Sequence, residues 1–221
     1  MHFEVPKASS FKEFGGEYLM IVISIITALA LEHGVQTLHH RHLAHEAGTR
    51  IDAEIQANVR ELDQVLTHNT AELTKLQALR AQLLAGIQDK GGSQALLDKL
   101  ELKNKLGLSV LTPALRREAW EVAVASQAVS WMSQQELERY SALYAGMRDV
   151  QMINASGGNN FLNGPGMMDT ISDVRMGDGD PKAIFRMLSQ MISAYSSLDG
   201  NLQTLRNGLA KSVPAQATPH S

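Results

Sequence analysis

Cysteine is absent from this chain of 221 residues, which excludes a disulfide framework, a thiol nucleophile and a thiolate zinc site. Aromatic residues are scarce, at 5%, so any core must be built from aliphatic side chains. The recurrence of Ala, Leu, Gln and Met favours helix over strand. Neither sign of charge is in marked excess: 20 Lys and Arg stand against 23 Asp and Glu, a formal net charge of -3. That balance exerts no pull toward nucleic acid, and no nucleic-acid partner is expected. Proline is missing from Glu32 to Asp89, so nothing of that kind breaks a helix there.

Catalytic signatures are missing as well. The glycines at 157, 158, 164 and 166 lack the lysine and the strand-turn-helix setting of a phosphate or dinucleotide loop. The Gly-Asp-Gly-Asp stretch at 177–180 lacks the ligand series and terminal glutamate of an EF-hand. Glu118, Glu121, Glu136 and Glu138 have no His or Lys constellation beside them and read as solvated helix charges. No catalytic residue and no cofactor is assigned, and an enzyme is not expected. The length suits one modest folded domain.

The stretch that stands out is Tyr18–Leu31, YLMIVISIITALAL, fourteen uncharged residues between Glu17 and Glu32. At ~1.5 Å per residue a helix of that length covers roughly 21 Å, short of a ~30 Å hydrocarbon core. Extension to Phe14 on one side and to Gly34, Val35 and Leu38 on the other closes the gap, with Glu17 and Glu32 reaching toward the interfaces. The run therefore reads as a spanning helix, with the lipid bilayer as its partner. Ala28-Leu29-Ala30 has the form of a signal-peptidase site, but the long leader with Glu4, Glu13 and Glu17 and the lack of a polar cleavage region favour retention. A buried helix of a soluble protein is the other alternative. Lys7 and Lys12 against Arg41 and Arg50 leave orientation nearly balanced; the short lysine-bearing leader favours a cytoplasmic amino terminus and a periplasmic domain.

Beyond the run the pattern stays helical to Asp89, with weak points at Gly34, Gly48 and Gly86. Ile55, Val59, Leu62, Leu66, Leu73, Leu76, Leu83 and Ile87 recur as a heptad seam, with Asn69 and Arg80 in its polar gaps. Such a seam serves either a coiled coil between subunits, with Asn69 fixing register, or a helix packed within its own bundle; the second is favoured. Lys90-Gly91-Gly92-Ser93 ends the rod, and a short helix to about Lys105 follows. Thr112-Pro113 predicts a cap and first turn for a helix from Ala114 to Met132, apolar enough to be central. Ser133-Gln134-Gln135-Glu136 has the form of a capping box, and Leu137, Tyr140, Leu143, Tyr144, Met147 and Val150 define one buried face. Residues 154–181 are expected to be the least regular part, with a short helix at 167–175. Asp180-Pro181 starts a last helix through Ile184, Leu188, Met191, Ile192, Tyr195, Leu198, Leu202, Leu205 and Leu209. The expected fold is all-α: a single N-terminal transmembrane helix continuing into a long helix that packs in an antiparallel helical bundle. The chain divides into a leader (1–17), anchor and exit (18–38), heptad helix (39–89), bundle remainder (90–211) and disordered tail (212–221).

The sequence ALALEHGVQTLHHRHLAHEA at the exit of the apolar run, then RIDAEIQANVREL and AWEVAVASQAVSWMSQQELERYSALYAGM, resembles uncharacterised bacterial membrane proteins with a short leader, one spanning helix and a helical soluble region. The resemblance covers mainly residues 11–66 and 113–152 and implies no activity. Of the clustered histidines His33, His39, His40, His42 and His45, three (His39, His42 and His45) are spaced by three and are candidate metal ligands; a pH-responsive polar collar at the interface is the favoured reading. Ser24 and Ala28, like Ala30 and Gly34, are four apart and offer small faces for helix contact in lipid. Ser24, Ala28, Leu62, Leu66, Asn69, Leu73 and Leu76 are thus the candidate oligomer or helix contacts. These features point to a membrane-anchored interaction or scaffold protein that self-associates or joins another inner-membrane protein. A periplasmic helical-bundle sensor module and a metal-binding protein are the alternatives.

Overall fold

The computed structural model describes residues 11–88, 110–162 and 164–212. Among the described residues the regular elements are helices, with no strand: α1 (Phe11–Gln88), α2 (Glu118–Ala125), a 3-10 turn (Ala128–Trp131), α3 (Gln134–Leu162), α4 (Pro165–Met176) and α5 (Pro181–Ser212). The expected break at Lys90–Ser93, the helix to Lys105 and the tail after Ser212 lie outside the described residues.

Helix α1 is 78 residues long and crosses Gly34, Gly48 and Gly86 without interruption, since a helical glycine costs only ~1 kcal/mol relative to alanine. It begins at Phe11, so the second half of the expected leader already belongs to the rod. Serine and threonine hydroxyls along it return to carbonyls four residues back, among them Ser24 to Met20 (2.8 Å) and Thr37 to His33 (2.8 Å). The rod has two halves. From Tyr18 to Leu38 its large apolar side chains are exposed in every direction, Tyr18 at 63% and Leu38 at 68%, whereas from Ala44 to Leu83 one face is buried by the rest of the chain.

The buried line runs Ile51, Ile55, Asn58, Leu62, Val65, Asn69, Leu76, Leu79 and Leu83. This shifts the expected seam. Val59 and Leu66 sit half-buried at its flank, and a polar residue, Asn58, holds the central position. The cause lies in residues 110–117, which are not helical. Asn69 Nδ2 donates to the Leu111 carbonyl and its Oδ1 accepts from the Leu111 N–H, both at 3.0 Å. Asn58 repeats the pattern on Arg116, at 2.9 and 2.8 Å. The two asparagines are three helical turns apart, about 16 Å at ~1.5 Å per residue. The path from Leu111 to Arg116 also covers about 16 Å when extended at ~3.3 Å per residue. An extended strap thus fits between two amide clamps. The expected helix from Ala114 is consequently delayed to Glu118, and Glu54 Oε2 accepts from the Ala119 N–H (2.9 Å) in its first turn. Nor is this helix central: Val122 is 56% and Trp131 51% exposed.

After α2, Gln127 adopts a left-handed conformation (φ 59) and turns the chain into the 3-10 segment. The capping box then opens α3 as expected: Ser133 Oγ accepts from the Glu136 N–H (3.3 Å), and Glu136 Oε2 accepts from the Ser133 N–H (3.0 Å). Tyr140, Tyr144 and Met147 form its buried face. Helix α3 continues to Leu162, through glycines and asparagines read as irregular from composition. Helix α4 starts with Pro165 in its first turn and ends at Gly177 (φ 88), where Asp178 N–H reaches back to the Asp173 carbonyl (2.9 Å). The Asp180 carboxylate accepts from Lys182 and Ala183 N–H, both at 3.1 Å, so Gly-Asp-Gly-Asp closes one helix and caps the next.

Two apolar clusters make the core. One joins Leu76, Leu79 and Leu83 to Ile171, Val174 and the first half of α5; the other joins Ile51, Ile55, Leu62 and Val65 to Leu115, Tyr140, Tyr144, Met147 and the second half of α5. Successive residues of α5 therefore meet α1 in descending order, pinned by Thr70 Oγ1 to Asp199 Oδ2 (3.4 Å) and Arg206 Nε to Asp63 Oδ1 (2.8 Å). Between the clusters lies a polar layer of Asn69, Thr70 and Asp199. Burial pushes the Asp199 carboxyl above its ordinary range, against smaller downward pulls from Asn69 and Thr70, and its Oδ1 is buried without a hydrogen bond.

Candidate functional site

Chemistry-bearing side chains gather where the unburied half of α1 passes into the packed half. Asp52 projects from the start of that packed half. Its Oδ1 accepts from Arg139 Nη2 (3.2 Å) and from the Tyr140 hydroxyl (3.0 Å). Arg139 also donates through Nη1 to the Ser212 carbonyl at the end of α5 (2.7 Å) and lies over the Tyr140 ring, 4.4 Å from its centroid. One guanidinium thus ties α1, α3 and α5 together, with charge-assisted bonds that fix its fork in place. Burial, then the neighbouring Asp52 charge, pushes the Tyr140 hydroxyl up to about 12. One turn further along, the Tyr144 hydroxyl donates to Glu54 Oε1, and burial together with that carboxylate raises its pKa as well. Trp120 stacks on Tyr144 with ring centroids 5.4 Å apart.

A cleft of about 400 Å³ opens beside this junction, lined by His45, Gly48, Thr49, Asp52, Gln135, Glu136, Arg139 and Tyr140. Hydrogen bonds from the Ser133 hydroxyl and backbone hold the Glu136 carboxyl below the usual carboxylate range. Nearer the apolar half, His40 stacks flat on Trp131, with centroids 3.8 Å apart and planes at 6°.

Of the candidate metal ligands, His39, His42 and His45 are all exposed. Steps of three along a helix turn each side chain ~60° from the previous one, so the three fan out instead of converging. Among the described residues no three His, Asp or Glu side chains form a group able to hold an ion. Leu62, Asn69 and Leu76 are buried in the chain's own core, with Leu66 and Leu73 packed against it. The seam and the Asn69 amide are therefore used inside one chain, where Asn69 grips Leu111. Ser24 and Ala28 lie on the exposed apolar half. Glu118, Glu121, Glu136 and Glu138 are exposed, as read from the sequence.

Sequence reasoning missed the Asp52–Arg139–Tyr140 junction, the Glu54–Tyr144 pair and the His40–Trp131 stack. A partial signal existed for the asparagines: Asn58 and Asn69 share the three-and-four spacing of the buried leucines, and a polar residue in such a line asks for a partner. Nothing local pointed to Arg139.

Together these features define, over the described residues, an all-α architecture in which one helix is long and apolar enough to span a membrane. Compared with family models, curated proteins and solved structures, the chain finds no match.

Proposed function

We propose that this chain is a non-enzymatic membrane-anchored interaction protein, a self-associating scaffold or an accessory subunit of a bacterial inner-membrane complex. One observation carries the reading: the large apolar side chains of Tyr18–Leu38 are exposed around the whole helix, while the same helix is buried on one face from Ala44 onward. Eleven large apolar side chains left in water across that stretch would each forfeit ~1.5–3 kcal/mol of burial; lipid covers all of them at once. In this reading the amino terminus is cytoplasmic, the packed half forms an antiparallel bundle in the periplasm, and α1 couples the two mechanically. The descending contacts of α5 along α1 support the antiparallel reading, and the resemblance to single-pass bacterial proteins fits it.

Detergent extraction followed by identification of copurifying proteins tests the function. A stoichiometric membrane partner or a defined homo-oligomer is expected; a monomer with no partner rejects it. The cysteine-free sequence makes orientation accessible, because single cysteines at Ser9 and Thr204 are labelled from opposite sides of the membrane only if the helix spans. A periplasmic sensor module is the second reading, favoured by the cleft between His45 and Arg139 at the point where α1 leaves the apolar half. Thermal stabilisation of the full chain in a metabolite screen supports it, and indifference to every ligand argues against it.

A further inference from the structure

The segment between α2 and α3 places Ala128, Val129 and Met132 against the core, whereas Trp131 among them stays half-exposed and lies flat on His40. His40 is two residues past Leu38, the last side chain of the exposed apolar run that starts at Tyr18. We propose that the turn carrying Trp131 is a second membrane contact, seating the helical domain on the headgroup layer of the bilayer that α1 crosses. The proposal rests on the anchor reading above and adds a depth to it.

The depth follows from helix geometry. A ~30 Å hydrocarbon core holds ~20 helical residues; in registers from Phe14–Gly34 to Tyr18–Leu38 its edge falls two to six residues before His40. His40 then sits about 3–9 Å beyond that edge at ~1.5 Å per residue, beside a headgroup layer about 5–8 Å deep on each side. The stack brings the Trp131 ring to the same level. Tryptophan is the side chain that favours this zone, since it presents an apolar ring and a single polar N–H. Two further observations agree. Trp131 is 51% exposed although it is the largest apolar side chain of its turn. No charged residue occurs from Val122 to Gln135, between Glu121 and Glu136, so nothing on the turn resists the interface. The left-handed Gln127 and the 3-10 turn aim Trp131 at His40 where a continued α2 would not.

The chain has two tryptophans, which allows a test with an internal control. Trp120 is stacked on Tyr144 beside Glu54, about 20 Å farther along α1 than His40 at ~1.5 Å per residue. The full chain is reconstituted in phosphatidylcholine vesicles containing lipids brominated at shallow or deep acyl positions. In W120F the emission of Trp131 is expected to be blue-shifted and quenched more by shallow than by deep bromines. In W131F the emission of Trp120 is expected to be indifferent to both. As a second measurement, a nitroxide on W131C reports depth by its relative accessibility to oxygen and to a water-soluble nickel chelate. Unquenched Trp131 emission with full access to aqueous iodide, or a nitroxide at aqueous depth, overturns the proposal and leaves the turn free for solvent or a protein partner. I25W in a W120F/W131F background separates the two readings: deep quenching there with none at Trp131 rejects the seat and keeps the anchor, and no quenching at either rejects both.

Discussion

Replacing Asn58 by leucine removes one of the two clamps that hold the 110–117 strap, at a site with no solvent exposure. The shape is nearly kept, so the loss is polar: the bonds to the Arg116 N–H and carbonyl at 2.8 and 2.9 Å. Each is worth ~1 kcal/mol net, and leaving part of the released peptide unpaired in a half-buried strip adds ~1–2 kcal/mol. A total of about 3–4 kcal/mol corresponds to a fall in Tm of roughly 6–16 °C at ~2–4 °C per kcal/mol for a chain of this size. Circular dichroism of the full chain in detergent measures the shift, and hydrogen exchange locates it: the amides of Leu111 to Ala119 should lose protection while those of α5 keep theirs. N69L should act in the same direction without changing the oligomer mass by light scattering. A double N58L/N69L variant should lose less than the sum, because both side chains secure one strap. Unchanged protection of 111–119 in N58L would refute the clamp, and a change of oligomer mass in N69L would restore the intersubunit role for the seam.

Four further outcomes are expected. Tyr144→Phe leaves the Glu54 carboxylate short of a buried donor and should cost ~1–3 kcal/mol in denaturant melts. Because Tyr140 ionises at about 12, above the ~10 of an unfolded tyrosine, its contribution is complete below pH ~10 and disappears as pH rises through about 12; alkaline unfolding followed by circular dichroism should fall in that window. Ser133→Ala should cost ~0.5–2 kcal/mol at neutral pH through loss of the cap. Since the Glu136 carboxyl is held below its ordinary range, that cost should shrink as pH falls through the depressed value, read by melts from neutral to acid pH. Asp199 runs the other way: with its carboxyl raised, the folded state prefers it protonated, so Asp199→Asn should raise Tm at neutral pH and give no gain in acid. An equal gain at both would place the effect elsewhere.

The apolar run, the capping box at Ser133, the Asp180 cap and the buried face of α5 were all legible in the sequence, because each depends on residues within one or two turns of one another. The glycine-rich stretch after Asn154 misled for a related reason: glycine weakens a helix by a small free energy per residue and does not forbid one. Tertiary structure alone decided that residues 110–117 are extended, since the competing hydrogen bonds come from asparagines 42 and 58 positions away in the chain. It also decided that the seam closes within the chain, that Arg139 joins three helices and that Trp131 comes to rest on His40. Short-range pattern set which segments are apolar and where helices start and stop; long-range polar pairing, invisible to any local window, set what the long helix holds and where its exposed half begins.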